Sequence, residues 1–373
     1  MKKKAYLGEE VRFGAGSFGI AYPGASRVAR QRIVLGLDIG TYSVKAVELT
    51  GAGDNVSVTA VGWERIPSPD MVEQTIRAVI SNNNLRVRRA VTSVSGRSVI
   101  VRYVTMTKMK PEELRQAVAF AADKYIPYDV NDVQLDCQIL GAASEGSNQV
   151  RVLLVAAKRQ VVEEHLELLK KVGVQPGAID VDLFALANAF ELCNQRGDLA
   201  GEGEAVALVD VGASKTSICI LRGTDECLTR EVYTAGNAMT DAVAKRFGEE
   251  ATVVETMKED PGDALPSMRD AMMPVIEDLG NEVRLSFDYY ENQFERMVSR
   301  VFLSGGGVML PGTVEALQKV FDVETRRFAP FETLEVGVTR LAADSPVARI
   351  VELVTAARKH PARAQRLIAR MGP

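Results

Sequence analysis

The run Ile33-Val-Leu-Gly-Leu-Asp-Ile-Gly-Thr-Tyr-Ser-Val-Lys-Ala-Val-Glu-Leu49 reads as a β-hairpin. Ile33, Val34, Leu35, Leu37 and Ile39 form a nearly continuous apolar run, the pattern of a strand covered on both faces. Val44, Ala46, Val47 and Leu49 continue the strand signal after a bend at Gly40-Thr41-Tyr42-Ser43. Asp38 breaks the pattern, because a carboxylate inside an apolar strand is costly to bury unless it is paired, hydrogen-bonded or beside a cation. A glycine followed by hydroxyl residues at a hairpin tip can turn several backbone N–H groups toward one point and grip phosphate oxygens, with the Lys45 charge nearby. Taken alone, an ordinary β-turn with a solvated Asp at a strand end accounts for the stretch equally well.

The pattern recurs. Ala205-Val-Ala-Leu-Val-Asp-Val-Gly-Ala-Ser-Lys-Thr-Ser-Ile-Cys-Ile-Leu221 has the same apolar strand, an acidic residue at Asp210, a turn at Gly212-Ala213-Ser214-Lys215 and a second strand from Thr216. A third glycine turn, Val301-Phe-Leu-Ser-Gly-Gly-Gly-Val-Met-Leu-Pro-Gly312, holds Gly305, Gly306, Gly307 and Met309 and precedes a helix beginning near Thr313. Two acidic hairpins and a later Ser-Gly-Gly-Gly turn resemble the actin-like ATPases. Adding Ala122-Asp-Lys-Tyr-Ile-Pro-Tyr128 and Gly236-Asn237, the chain is similar to the PilM family of type IV pilus assembly proteins, relatives of the cell-division protein FtsA, over residues 33–337.

That resemblance implies an α/β actin-like fold of two lobes around a nucleotide cleft, with an inserted subdomain of the FtsA/PilM type. The implied cofactors are ATP and Mg²⁺. Asp38 and Asp210 would hold Mg²⁺ through water, because Mg²⁺ keeps much of its hydration shell. Gly40, Thr41, Tyr42, Ser43 and Lys45 of the first hairpin, with Gly212, Ala213, Ser214, Lys215 and Thr216 of the second, would surround the phosphates. Gly236-Asn237 opens a helix toward them at a place where relatives usually carry Gly-Gly, and Asn is tolerated in left-handed geometry. Glu255, Lys258 and the third glycine turn with Met309 would lie against the adenosine; the Glu255/Lys258 spacing also suits a surface ion pair. Arg284 and Ser286 resemble family residues near the nucleotide. Asp182 occupies the place of the residue that orients the attacking water, and a helix N-cap explains it as well. With one such candidate, turnover should be slow or absent.

The resemblance implies a first lobe from 32–97 and 175–200, an insert at 98–174 and a second lobe at 204–343; outside it, the Gly-, Ser- and Arg-rich residues 1–31 read as a disordered basic leader and 344–373 as a basic helical tail. The insert should run strand, helix, strand, strand, helix (99–106, 111–125, 133–142, 150–156, 161–172). Its helix carries Val118, Phe120, Ala121, Tyr125 and Ile126 and stops at Pro127 before Tyr128. A core-facing stripe accounts for most of these, yet Phe120, Tyr125, Ile126, Pro127 and Tyr128 also combine aromatics with a rigid helix end on which a partner segment can dock. The family resemblance implies that partner: the short cytoplasmic N-terminal tail of the membrane protein PilN, beside other pilus platform proteins, the assembly motor ATPase or further copies of this chain. Elsewhere the pattern predicts a strand at 56–66, a helix capped by Ser68 or Asp70 and reaching Asn82, and a strand at 88–95. Later come a long helix from Met272 to about Val298 with Val275, Leu279, Val283, Leu285 and Tyr289 inward, a strand at 323–327 and a helix-like segment at 336–343.

Composition bounds these readings. At 373 residues and 46% hydrophobic content the chain can bury a large core spread over two or more domains. No run approaches the ~20 apolar residues of a membrane span, and Met1-Lys-Lys-Lys-Ala lacks a signal-peptide core, so export is not expected; the family resemblance implies a cytoplasmic protein held peripheral to the inner membrane through its partners. Cys137, Cys193, Cys219 and Cys227 have no metal-ligand spacing and read as reduced packing residues, with a Cys219–Cys227 cross-hairpin pair as the alternative; His165 and His360 read as solvated. Residues 1–32 and 346–373 each carry a net charge of +5 within a chain of −4, so the middle is strongly acidic. Neither end interleaves aromatics with its charge, so no nucleic-acid partner is expected; solubilising tails or contact with an anionic membrane surface fit both. The segment 347–370, broken at Pro361, reads as a terminal amphipathic helix. Three other functions share some of these motifs: a sugar kinase, a filament former of the FtsA kind and a type II secretion paralogue. The small insert, which offers no polar sugar pocket, argues against the first.

Overall fold

The computed structural model describes residues 32–340, apart from 53, 54, 84, 87, 144, 145, 198, 224, 225 and 334. The leader at 1–31 and the tail at 344–373, with His360, lie outside the described residues. The opening hairpin is formed by β1 (Arg32–Ile39) and β2 (Ser43–Ala52), antiparallel and in a register that sets Asp38 opposite Lys45. β3 (Asn55–Arg65) pairs with β2, α1 (Val72–Asn82) crosses the sheet, and β4 (Arg89–Val94) runs parallel to β1. Leu35 and Leu37 face Ile76, Val79 and Ile80 of α1 in one core, each such side chain contributing about 1.5–3 kcal/mol by leaving water. The expectation that β1 is covered on both faces does not hold. Ile33 and Asp38 are exposed and Val34 and Ile39 only half-buried, so β1 alternates in the ordinary way.

The chain then leaves this sheet for the insert: β5 (Val99–Thr107), α2 (Pro111–Ala121), β6 (Val133–Ala142) and β7 (Gln149–Lys158). Its three strands are ordered β5-β7-β6, all antiparallel, and α2 packs on one face through Leu114 and Val118. α2 is shorter than expected, giving way at Ala122–Lys124 to a single 3₁₀ turn before Pro127. α3 (Arg159–Val172) returns to the first lobe, where Leu169 and Val172 join the core beneath α1, and β8 (Gln175–Val181) adds beside β4. His165 on α3 is half-buried rather than solvated, with its ring 3.1 Å from the Thr92 hydroxyl; burial pulls its pKa below the ordinary value.

α4 (Asp182–Gly197) leads into a second sheet built from β9 (Val206–Val211), β10 (Thr216–Arg222) and β11 (Glu226–Val232). α5 (Gly236–Phe247), α6 (Ala251–Glu259) and α7 (Leu265–Phe294) follow, then β12 (Arg300–Ser304), α8 (Thr313–Phe321) and β13 (Glu324–Arg327). The order is β11-β10-β9-β12-β13. Here β9 does have both faces covered: Ala207 and Val209 enter the core under α7, while Val206 and Leu208 enter a second core with Phe184 and Phe190 of α4. Helix α7 begins and ends earlier than expected, and its inward face matches the expectation at Leu279 and Val283 but not at Leu285 and Tyr289. Ile276, Leu279, Val283, Phe287 and Tyr290 point inward, whereas Leu285 and Tyr289 are exposed.

After α9 (Pro330–Thr333) the segment expected to be helix-like is a strand, β14 (Glu335–Arg340), parallel to β3. It completes the first sheet, ordered β14-β3-β2-β1-β4-β8. Residues 335–340 therefore pair with the first lobe's sheet, not with the second lobe to which the sequence pattern assigns them. The open edge of β3 decides between strand and helix for this segment. Among the described residues, no helix is long and apolar enough to cross a membrane. The Cys219 and Cys227 sulfurs lie 3.5 Å apart, beyond the ~2.05 Å of a disulfide.

Candidate functional site

The two acidic hairpins close with the same turn. Gly40 N–H donates to the Ser43 carbonyl at 3.1 Å and Gly212 N–H to the Lys215 carbonyl at 3.0 Å. In each, a Cβ on the glycine would sit 3.0 Å from that carbonyl oxygen, tighter than side-chain carbon normally allows. The tips meet: Thr41 Oγ1 donates to Ser214 Oγ at 3.2 Å across the line between the lobes. Thr41 and Ser214 are exposed, but Ser43 and Thr216 are buried, and the Thr216 hydroxyl donates to the Thr234 carbonyl at 2.8 Å. The duplicated turns thus offer two hydroxyls to a ligand, with those of Ser43 and Thr216 taken into the fold.

Behind the tips lie the carboxylates. Asp38 is exposed and paired with Lys45 at 2.7 Å, which answers the burial cost raised by its place in β1. Asp210 accepts a hydrogen bond from the Ser304 hydroxyl at 2.8 Å. Burial raises its pKa; Ser304 and Lys45 pull against that, and the Asp182 and Asp38 charges push it further up. The third glycine turn wraps this point: a Cβ on Gly305 would fall 2.3 Å from the Val211 carbonyl oxygen and one on Gly307 2.4 Å from the Val211 side chain, whereas Gly306 faces open space. Met309 is half-exposed with its sulfur 3.0 Å from the Arg327 guanidinium. Among the described residues, no group of three or more His, Cys, Asp or Glu could hold a metal directly.

Asp182 and Lys215 form a third cluster. The Lys215 ammonium pairs with Asp182 and, at 2.7 Å, with Glu231, and donates to Ser217 Oγ at 3.1 Å. Burial pulls Lys215 down, but Asp182 and Glu231 outweigh it and hold its pKa above the usual value. Burial raises Asp182, Lys215 opposes, Glu231 adds to the rise, and a hydrogen bond with Ser95 opposes. Lys215, expected on the phosphates, is thus turned into an ion cluster. Asp182, the first residue of α4, accepts from the adjacent Leu183 N–H at 2.7 Å, and not from the N–H one turn further on that an N-cap would take.

Gly236 and Asn237 stand against the second hairpin, but their N–H groups donate to the Gly212 and Ala213 carbonyls at 3.0 and 2.7 Å. They brace the turn in place of pointing at an anion. Asn237 lies within α5, and its backbone is not left-handed, so the property invoked for it is not used. Glu255 and Lys258 pair at 2.9 Å and both reach the Thr240 hydroxyl. Glu255 also accepts from Tyr42; burial first and this carboxylate second raise the tyrosine's pKa. Arg284 donates to the Val320 carbonyl, and Ser286 is buried beneath Arg230. Glu231, Ser304 and Ser95 complete the clusters without having been singled out in the sequence. Ser304 abuts the third glycine turn and was the legible one.

On the insert, Phe120 is 93% exposed, Pro127 exposed and Tyr125 half-buried. Ile126 is buried in the core beneath α2 and cannot touch a partner. Tyr128 donates to the Arg97 carbonyl at 3.1 Å, and the Lys158 ammonium stands 4.5 Å over its ring.

Two sheets joined through α4, twin acidic hairpins tip to tip and a glycine turn seated on the second define an actin-like ATPase fold, a nucleotide-binding class. The model of the family "Type IV pilus assembly protein PilM" matches residues 36–350, and the chain belongs to that family. A solved structure titled as a PilM-PilN type IV pilus biogenesis complex is similar at 28% identity and a TM-score of 0.72, covering 87% of this chain and 95% of that one. The cell division protein FtsA of Streptococcus pneumoniae is 22% identical over 363 residues, 81% of this chain and 77% of that protein.

Proposed function

We propose that this protein is a nucleotide-binding adaptor of a type IV pilus machine, taking ATP·Mg²⁺ between its lobes and holding the N-terminal tail of a PilN-type membrane protein on its insert, at the cytoplasmic face of the inner membrane. The observation that carries the nucleotide half is the pair of identical hairpin turns meeting at Thr41 and Ser214. The residues present fit the cation. Asp38 and Asp210 stand at matching places in the two facing hairpins, the Asp38 charge adds to the rise of the Asp210 pKa, and a divalent ion held through water would relieve it. Lys45 sits where it can neutralise phosphate oxygens, while Thr41 and Ser214 donate to them. ATP would supply the charge and shape that fix the angle between the lobes. Hydrolysis needs an aligned water, and Asp182, bound to Lys215, is poorly placed to align one, so slow or absent turnover is expected.

Titration calorimetry with ATP tests the site. Asp38→Ala and Asp210→Ala should each weaken Mg²⁺-dependent binding by about tenfold or more, the loss of a charge-assisted contact of about 1.5–3 kcal/mol. Unchanged affinity in both variants overturns the assignment. The partner half rests on family membership and on the solvent-facing Phe120 beside Tyr125 and Pro127. Phe120→Ala and Tyr125→Ala should weaken binding of a PilN-type N-terminal peptide by about tenfold, as truncation of an aromatic anchor does, with ATP affinity intact. Peptide affinity equal to wild type in both places the tail elsewhere.

A further inference from the structure

The residues Ser95–Ser98 join β4 of the first lobe to β5 of the insert, with Gly96 in a left-handed conformation at φ +85°. Four contacts converge on this root. Gly96 N–H donates to Glu231 Oε1 at 3.1 Å, and Ser95 hydrogen-bonds Asp182. The Arg97 guanidinium lies 4.4 Å over the Tyr233 ring, whose hydroxyl donates to Glu231 Oε2 at 3.4 Å. The Arg97 carbonyl accepts from Tyr128 of the proposed partner surface. Glu231 belongs to β11 of the second lobe, and its Oε1 also takes Lys215, the last residue of the second hairpin's turn. An ammonium has three N–H donors, and those of Lys215 are all engaged by Asp182, Glu231 and Ser217. A phosphate that drew on Lys215 would have to displace Asp182, Glu231 or Ser217, and the two charged partners among these hold the root of the insert.

We propose that Glu231 is a positioning residue that ties the second hairpin to the root of the insert, so that nucleotide in the cleft and peptide at the Tyr125–Tyr128 surface alter one another's affinity. This rests on the two ligand sites read above. The linkage is reciprocal, because a ligand shifts an arrangement only by its differential affinity for the two. Spatial continuity alone is no proof of coupling, so the measurement is of coupling itself.

The ratio of peptide dissociation constants with and without ATP·Mg²⁺ should differ from one by about fivefold or more in the wild type. In Glu231→Ala and Glu231→Gln it should fall to within about twofold, with peptide affinity in the absence of nucleotide nearly unchanged. Hydrogen exchange on ligand-free protein is the second readout. Glu231→Ala should speed exchange at Gly96 and around Tyr128, and Glu231→Gln, which keeps an acceptor but no charge for Lys215, should restore protection at Gly96. A wild-type ratio of one, a ratio untouched by both substitutions, or exchange unchanged in Glu231→Ala overturns the tie. Failure to bind either ligand overturns the function proposed above and the coupling with it, whereas binding of both with a wild-type ratio of one overturns the coupling alone.

Discussion

Gly305→Ala is expected to lower the unfolding free energy by about 3 kcal/mol or more, through backbone strain and overpacking together. Gly305 has φ +90°, where a side chain is strained, and its added Cβ would lie 2.3 Å from the carbonyl oxygen, 2.6 Å from the carbonyl carbon and 2.9 Å from the nitrogen of Val211. These are backbone atoms of a central strand paired on both edges, so the neighbour cannot yield and the turn must move. Movement there drags Ser304, which is paired with Asp210 in the sheet and donates to its carboxylate. Nucleotide binding should therefore fall with stability. Gly306→Ala is the control: its Cβ meets nothing within 4 Å, and its stability should stay within ~1 kcal/mol of wild type. Urea unfolding of the two variants side by side decides the matter; equal midpoints overturn the reading of the turn as a close approach.

The parts of this fold that could be read from sequence are those fixed by local chemistry. The Asp-x-Gly hairpins were legible because the turn is closed within four residues, from Gly40 to Ser43 and from Gly212 to Lys215. The same locality exposed the third glycine turn and the strand and helix order of the insert. What failed depended on distant partners. Residues 336–343 carry an ambiguous apolar pattern, and β3, far back in the chain, makes them a strand. For α7 the inward stripe holds at Val275, Leu279 and Val283, while the turn after Val283 buries Phe287 and Tyr290 against the second sheet and leaves Leu285 and Tyr289 outside. The turn alone does not reveal that Lys215 pairs with Asp182 and Glu231, 33 and 16 residues away in sequence. Ile126 was grouped with its aromatic neighbours, and only the position of β6 and β7 beneath α2 shows that it faces inward.

Asp180→Asn should stabilise the protein in mildly alkaline solution and lose that advantage in acid. Asp180 is buried at the end of β8, with Val181 N–H donating to its Oδ1 at 2.8 Å. Burial raises its pKa to about 7, the Val181 N–H opposes, and the nearby Asp182 charge adds to the rise. The folded value thus exceeds the unfolded one, and between about pH 4 and pH 7 the folded chain retains a proton that the unfolded chain has released. Stability contributed by this group is complete below that window and is lost as pH rises through it. At about 1.4 kcal/mol per pKa unit, the penalty above pH 7 reaches about 4 kcal/mol. Asparagine keeps an acceptor for Val181 N–H and carries no charge, so it escapes this penalty but places an amide donor in a buried site, at a cost of about 1–3 kcal/mol. The variant should therefore be less stable than wild type at about pH 4, where the group's contribution is nearly complete, and more stable at about pH 8.5, the two urea midpoints crossing in between. A difference between variant and wild type that is the same at both pH values means that Asp180 is ionised throughout, paired by a group other than those facing it here.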